Sequence, residues 1–147
     1  MQILERLGDR KVIPVVALLG FIVMTGMSMA IGVAQPFFRL ISGGVELTEE
    51  DNGEVVALVP GQELTITLYG NPTTGYEWRV ASLDSSRLRQ LGEGEWRPES
   101  GATGSGGPYT FRFEAVEPGQ STLQLVNQFP GEEPVETFEV TVMVSRQ

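Results

Sequence analysis

The chain has 147 residues, with 10 Lys+Arg against 19 Asp+Glu, no Cys and no His. That length fits one domain with an appendage, and the missing cysteine removes disulfides, thiolate metal sites and thiol catalysis. The missing histidine removes the neutral-pH proton shuttle and any Ser-His-Asp or Cys-His arrangement, while a formal charge of −9 argues against nucleic acid, which needs a basic footprint. A carboxylate-based enzyme, a binding module and a structural domain remain.

The first element in the chain is apolar. Val12–Ala34 runs for 23 residues without a charge, and Arg6, Arg10 and Lys11 precede it. It reads as either a cleaved signal peptide or a single N-terminal membrane anchor. Val12–Met24 suits a signal core, and Gly32-Val33-Ala34 offers a cleavage site before Gln35. The whole stretch is also long enough to cross roughly 30 Å of hydrocarbon as a helix. Either way the rest of the chain is expected outside the cytoplasm, periplasmic or extracellular, secreted or anchored. The expected organisation is signal or anchor over 1–34, linker over 35–44 and a folded domain over 45–147. Beyond residue 34 the chain keeps 7 Arg, no Lys and 17 Asp+Glu, a formal charge of −10. A domain of that size can build one core without disulfide or metal, and no feature suggests anything but a monomer.

The exported part reads as all-β. Val45–Thr48 and Val55–Val59 are short strands on either side of the polar Glu49-Glu50-Asp51-Asn52-Gly53 turn. Glu63–Tyr69 alternates Leu64, Ile66 and Leu68 with Thr65 and Thr67. Trp78 and Val80 resume the two-residue period, followed by Tyr109–Ala115, Leu123 and Leu125, and then Phe138, Val140, Val142 and Val144. Pro60-Gly61, Asn71-Pro72, Pro118-Gly119 and Pro130-Gly131 punctuate these runs as turns. Only Ser82–Leu91, with Leu83, Arg87 and Leu91 four apart, carries helical spacing. About seven short strands imply two facing sheets. At about 25 cal/mol per Å² of apolar area buried, their inner faces outweigh any surface ion pair. Trp78 is placed between the sheets, among Phe111, Phe113 and Phe138.

Three loops are candidate functional sites. In Asn71-Pro72-Thr73-Thr74-Gly75-Tyr76-Glu77-Trp78, Asn71 can bond nearby backbone, Pro72 fixes its own dihedral and Gly75 tolerates a positive one. Thr73 and Thr74 then sit at the tip of either a plain turn or a shaped recognition loop. Gly104-Ser105-Gly106-Gly107 is glycine-rich, but no Lys-Ser/Thr follows and no strand–helix unit surrounds it, so phosphate binding is a weak reading. Its backbone could instead approach another surface closely, or merely connect a hairpin. Phe129-Pro130-Gly131-Glu132 sets an apolar residue in a turn, as a partner anchor or a cap on the sandwich end.

The abundant carboxylates Glu93, Glu95, Glu99, Glu132, Glu133 and Glu136 have no spacing that fixes an acid/base pair, so they read as a solvated face. Residues 49–53 lack the full calcium-loop pattern. No catalytic residue, metal site or cofactor is assigned.

With these motifs in place, the exported part resembles the chagasin-type inhibitors of papain-like cysteine proteases (inhibitor family I42). Asn71-Pro72-Thr73-Thr74-Gly75-Tyr76-Glu77-Trp78 corresponds to the family's N-P-T-T-G-[YF]-x-W signature. Gly104–Gly107, followed by Phe111-Arg112-Phe113, resembles its G-x-G-G loop and the next strand. Leu123–Leu125 and Thr137–Val142 resemble its final hairpin. The departure is in the third loop, where members usually carry R-P-W and this chain aligns Phe129-Pro130-Gly131-Glu132.

The resemblance implies an immunoglobulin-like β-sandwich and a reversible, non-enzymatic inhibitor of a papain-like protease. Its inhibitory loops would be Asn71–Tyr76, Gly104–Gly107 and Phe129–Glu132, occluding the target's cleft. Because interface energy concentrates in buried Trp, Tyr and Arg, the altered third loop keeps a second expectation open. That alternative is an exported binding or adhesion module that has lost inhibition.

Overall fold

Alternation of apolar and polar residues decides which backbone segments become strands here, because each strand can then bury one face against the opposite sheet. The computed structural model describes Ile13–Pro14 and residues 43–146. Its strands are β1 (Ile13–Pro14), β2 (Val45–Leu47), β3 (Val55–Leu58), β4 (Glu63–Gly70), β5 (Glu77–Ser82), β6 (Leu88–Gln90), β7 (Glu95–Trp96), β8 (Gly107–Ala115), β9 (Gly119–Gln128) and β10 (Glu136–Val144). One sheet runs β1-β3-β10-β9-β5, the other β2-β4-β8-β6, with β7 also paired to β8. The result is the expected all-β sandwich of immunoglobulin-like type, held without a disulfide.

Both long antiparallel strand pairs are in register with the sequence pattern. β9 and β10 pair antiparallel from Asn127↔Glu136 to Gly119↔Val144, and β4 pairs with β8 from Glu63↔Glu114 to Gly70↔Gly107. Leu64, Ile66, Leu68, Phe111, Phe113, Leu123, Leu125, Phe138, Val140 and Val142 thereby form one buried cluster. The ion pairs, such as Arg89–Glu114 at 2.8 Å, lie on the outer faces, where such pairs contribute at most about 1 kcal/mol.

Trp78 belongs to this core at 7 % exposure. Its indole Nε1–H donates to the Tyr69 carbonyl at 2.8 Å, so β5 in one sheet is tied to the end of β4 in the other. Trp96 Nε1–H donates to the neighbouring Gly70 carbonyl at 3.3 Å. A Cβ on Gly70 would stand 2.8 Å from the Tyr109 ring and 2.9 Å from the Trp78 ring, closer than packed atoms approach. Gly70 thus lets the two aromatics close over the strand end.

One expectation changes. Within Ser82–Leu91 only one turn forms, with the Arg87 and Leu88 N–H groups donating to the Asp84 carbonyl. The chain then enters β6, and Leu88, rather than the Leu83/Leu91 stripe, is the fully buried residue. Pairing with β8 gives backbone groups of β6 partners that an isolated helical turn lacks. Val12–Ala34, read above as signal or anchor, lies outside the described residues except for β1, whose Ile13 and Pro14 pair in parallel with Val56 and Ala57. Among the described residues no helix is long and apolar enough to cross a membrane.

Trp78→Phe removes the donor to a buried carbonyl and part of the core volume. Urea unfolding should show a loss of about 2–4 kcal/mol with an unchanged m-value.

Candidate functional site: three loops at one end of the sandwich

Loop one, between β4 and β5, is a short 3₁₀ turn over Pro72–Thr74. Proline suits its first position because that N–H has no partner in such a turn. The Asn71 Oδ1 accepts the Thr73 backbone N–H at 3.2 Å and the Thr73 hydroxyl at 2.6 Å. The Thr74 hydroxyl donates to the Asn71 carbonyl at 2.7 Å. Gly75 closes the turn at φ +90° with its N–H on the Pro72 carbonyl, in the left-handed region that glycine enters without penalty. Thr73 and Thr74 are left exposed at a tip whose backbone is held from inside.

Loop two connects β7 and β8. Its neck is closed by Arg97 N–H to the Pro108 carbonyl (3.1 Å) and Glu99 N–H to the Gly106 carbonyl (2.9 Å). Ser105 Oγ accepts the Ser100 N–H at 3.2 Å inside the loop. Of the four residues singled out by sequence, Gly104 is exposed and Ser105 partly so, whereas Gly106 and Gly107 are buried. Their missing side chains serve the interior. A Cβ on Gly106 would stand 2.4 Å from the Tyr69 hydroxyl oxygen, and one on Gly107 would fall 1.9 Å from the Arg97 carbonyl oxygen.

Loop three joins β9 to β10. Pro130 and Gly131 (φ +85°) occupy the centre of a turn closed by the Glu132 N–H on the Phe129 carbonyl at 3.0 Å, the Pro-Gly order that a type II turn requires. The two readings of Phe129, partner anchor and end cap, meet in one geometry. Its ring is 40 % exposed, yet it lies on Gly75, where a Cβ would come within 2.5 Å of it. It also meets the Tyr76 ring edge-on at a centroid distance of 5.7 Å.

The three predicted loops therefore converge, with loop one in the middle. Asn71 Nδ2–H donates to the Gly104 carbonyl at 2.9 Å, linking it to loop two, and Phe129 links it to loop three. Tyr69, Phe129 and Val135, three of the five large apolar side chains left exposed among the described residues, gather at this end; Val116 and Met143 lie away from it. Such clustering of exposed apolar groups marks an interaction surface.

Beside loop one a groove of about 490 Å³ opens between β5 and the β6–β7 edge, lined by Pro72, Glu77, Trp78, Trp96 and Tyr109 among others. Burial, and secondarily the Glu77 carboxylate, push the Tyr109 phenol above its ordinary pKa. Among the described residues no group of His, Cys, Asp or Glu is placed to hold a metal ion.

Residues 57–142 match the family described as Chagasin family peptidase inhibitor I42. The chain belongs to that family. It is 32 % identical over 88 residues to Amoebiasin-1 of Entamoeba histolytica, covering 58 % of this chain and 83 % of the relative. The solution structure of Amebosin superposes with a TM-score of 0.58 at 31 % identity, over 69 % of this chain and 98 % of that one. The crystal structure of a cysteine protease inhibitor from Entamoeba histolytica gives a TM-score of 0.61 at 19 % identity, covering 70 % and 96 %; at that identity it bears on the fold alone. Membership places this chain among peptidase inhibitors rather than enzymes.

Sequence reading missed Tyr69 and Trp96, which brace the loops from below. Tyr69 could have been noticed as the outward-pointing aromatic beside the Asn71 motif. Trp96 sits in a two-residue strand with too little pattern to register.

Two outcomes follow from this geometry. Gly75→Ala should lose about 1–2 kcal/mol by forcing alanine to a positive φ and should displace the Phe129 ring, read as a Phe129–Tyr76 nuclear Overhauser contact that disappears. The stability owed to the neutral Tyr109 phenol is fully present below the unfolded value of about 10 and is lost as pH rises through the raised folded value. Tyr109→Phe should therefore flatten the fall of urea-melt stability above about pH 10.

Proposed function

We propose that the protein reversibly inhibits a papain-like cysteine protease by laying the three loops into the active-site cleft. The observation that carries this reading is the convergence of Asn71–Tyr76, Gly104–Ser105 and Phe129–Glu132 at one end, with the family's signature loop in the centre. Thr73 and Thr74 enter beside the catalytic cysteine, and loops two and three meet opposite walls. The tip turn Pro72–Thr74 is helical, and the Asn71 and Pro72 carbonyls are engaged from within, so it offers no extended peptide bond to a nucleophile. The ties to Gly104 and Phe129 reduce what ordering costs on association.

A second reading is favoured by one observation. Where relatives carry R-P-W, this chain has Phe129-Pro130-Gly131, and the Phe129 ring leans on loop one instead of standing free. A binding module without inhibition would keep the same sandwich. Family membership and the intact signature loop favour inhibition.

Export fits the target class. Residues 1–34 act as signal peptide or membrane anchor and 35–44 as linker, delivering a monomeric domain to the periplasm or the extracellular side. N-terminal sequencing of the exported protein reads Gln35 first for a cleaved signal and Met1 for an anchor.

The purified protein should inhibit papain-like enzymes reversibly in a titration, with no covalent adduct by mass spectrometry. Thr74→Arg should weaken inhibition at least about 100-fold, since a charged side chain at the tip cannot be desolvated in the cleft, while the β-type circular dichroism is unchanged. Inactivity of the wild type at micromolar concentration across a broad protease panel selects the second reading.

A further inference from the structure

We infer that Tyr69 is a fourth contact element of the inhibitory end, meeting the protease wall on the loop-two side; this rests on the inhibitor reading above. Tyr69 lies outside the three loops, at an outward position of β4. At 51 % it is among the most exposed large apolar side chains of the described domain.

Its backbone is fixed on both polar groups. The Glu49 carboxylate accepts the Tyr69 N–H, and the Tyr69 carbonyl accepts the Trp78 indole N–H. The ring lies along loop two because Gly106 has no side chain there. It thus occupies the space between the strand end and Gly106, one residue from Gly70 and two from Asn71.

Tyrosine in such a place has the properties of an interface anchor. It buries a large amphipathic surface, it has only two side-chain torsions to freeze, and here its main chain is already held. A ring needed only to support loop two would do so equally well as a buried phenylalanine. With its hydroxyl end against Gly106, the exposed part of the ring presents a flat apolar face, complementary to a wall that offers an apolar patch. On the other flank of loop one, Phe129 presents a second partly exposed ring. Tip threonines between two aromatic shoulders make the contact surface wider than the three loops alone.

The test uses the full chain and papain. Tyr69→Ala should raise Ki about tenfold or more, mostly through faster dissociation, whereas Tyr69→Phe should recover most of the affinity. Met143→Ala, at an exposed apolar residue away from the loops, should leave Ki unchanged. Because Tyr69→Ala also removes support from Gly106, a second readout separates contact from scaffolding. In protein labelled with 3-fluorotyrosine, the ¹⁹F resonance that vanishes in Tyr69→Phe should shift on addition of papain blocked at its thiol by a methylthio group. A wild type that fails to inhibit overturns the inhibitor reading and this inference together. Wild-type inhibition with Ki unaltered in Tyr69→Ala, or a Tyr69 resonance unmoved in the formed complex, overturns this inference alone.

Discussion

The donation from the Trp78 indole to the Tyr69 carbonyl is the constraint on which the functional end depends. Loop one leaves one sheet at Gly70 and enters the other at Glu77, so its shape is set by how those two points are held together. Trp78 holds them from within the core and Trp96 holds the next carbonyl along. Had the strand end been free to fray, the hydrogen bonds inside Asn71–Gly75 would preserve a turn but not its direction.

Rigidity then spreads sideways through contacts of different kinds. Loop two is joined through a hydrogen bond from Asn71, and loop three through an aromatic ring packed on a glycine. This division bears on the departure at Phe129. Phe129 stands where the family signature has arginine, and here its ring is part of the scaffold of the neighbouring loop. The contact of Phe129 with Gly75 and Tyr76 joins loop three to loop one through apolar packing.

The two-residue period made the main strands legible in sequence, and the Asn-Pro-Thr-Thr-Gly motif made loop one legible, because both depend on neighbours in the chain. β6 and β7 were not legible: two or three residues cannot display a period, and both form only because β8 offers them an edge. Likewise Gly106 and Gly107 read as an open loop, although they are buried against Tyr69 and Arg97. Those partners are distant in sequence, and no local rule announces them. The tie between Phe129 and Gly75 is of the same long-range kind.

The threonine hydroxyls at the tip have a consequence of their own. Asn71 Oδ1 and the Asn71 carbonyl can only accept, so the protons of both hydroxyls are committed inward. What the tip turns outward is a pair of oxygen lone pairs. To a thiolate such a surface gives nothing to bond, whereas a protonated imidazole finds ready acceptors. The tip therefore offers acceptors, and no hydroxyl proton, to whatever group approaches it.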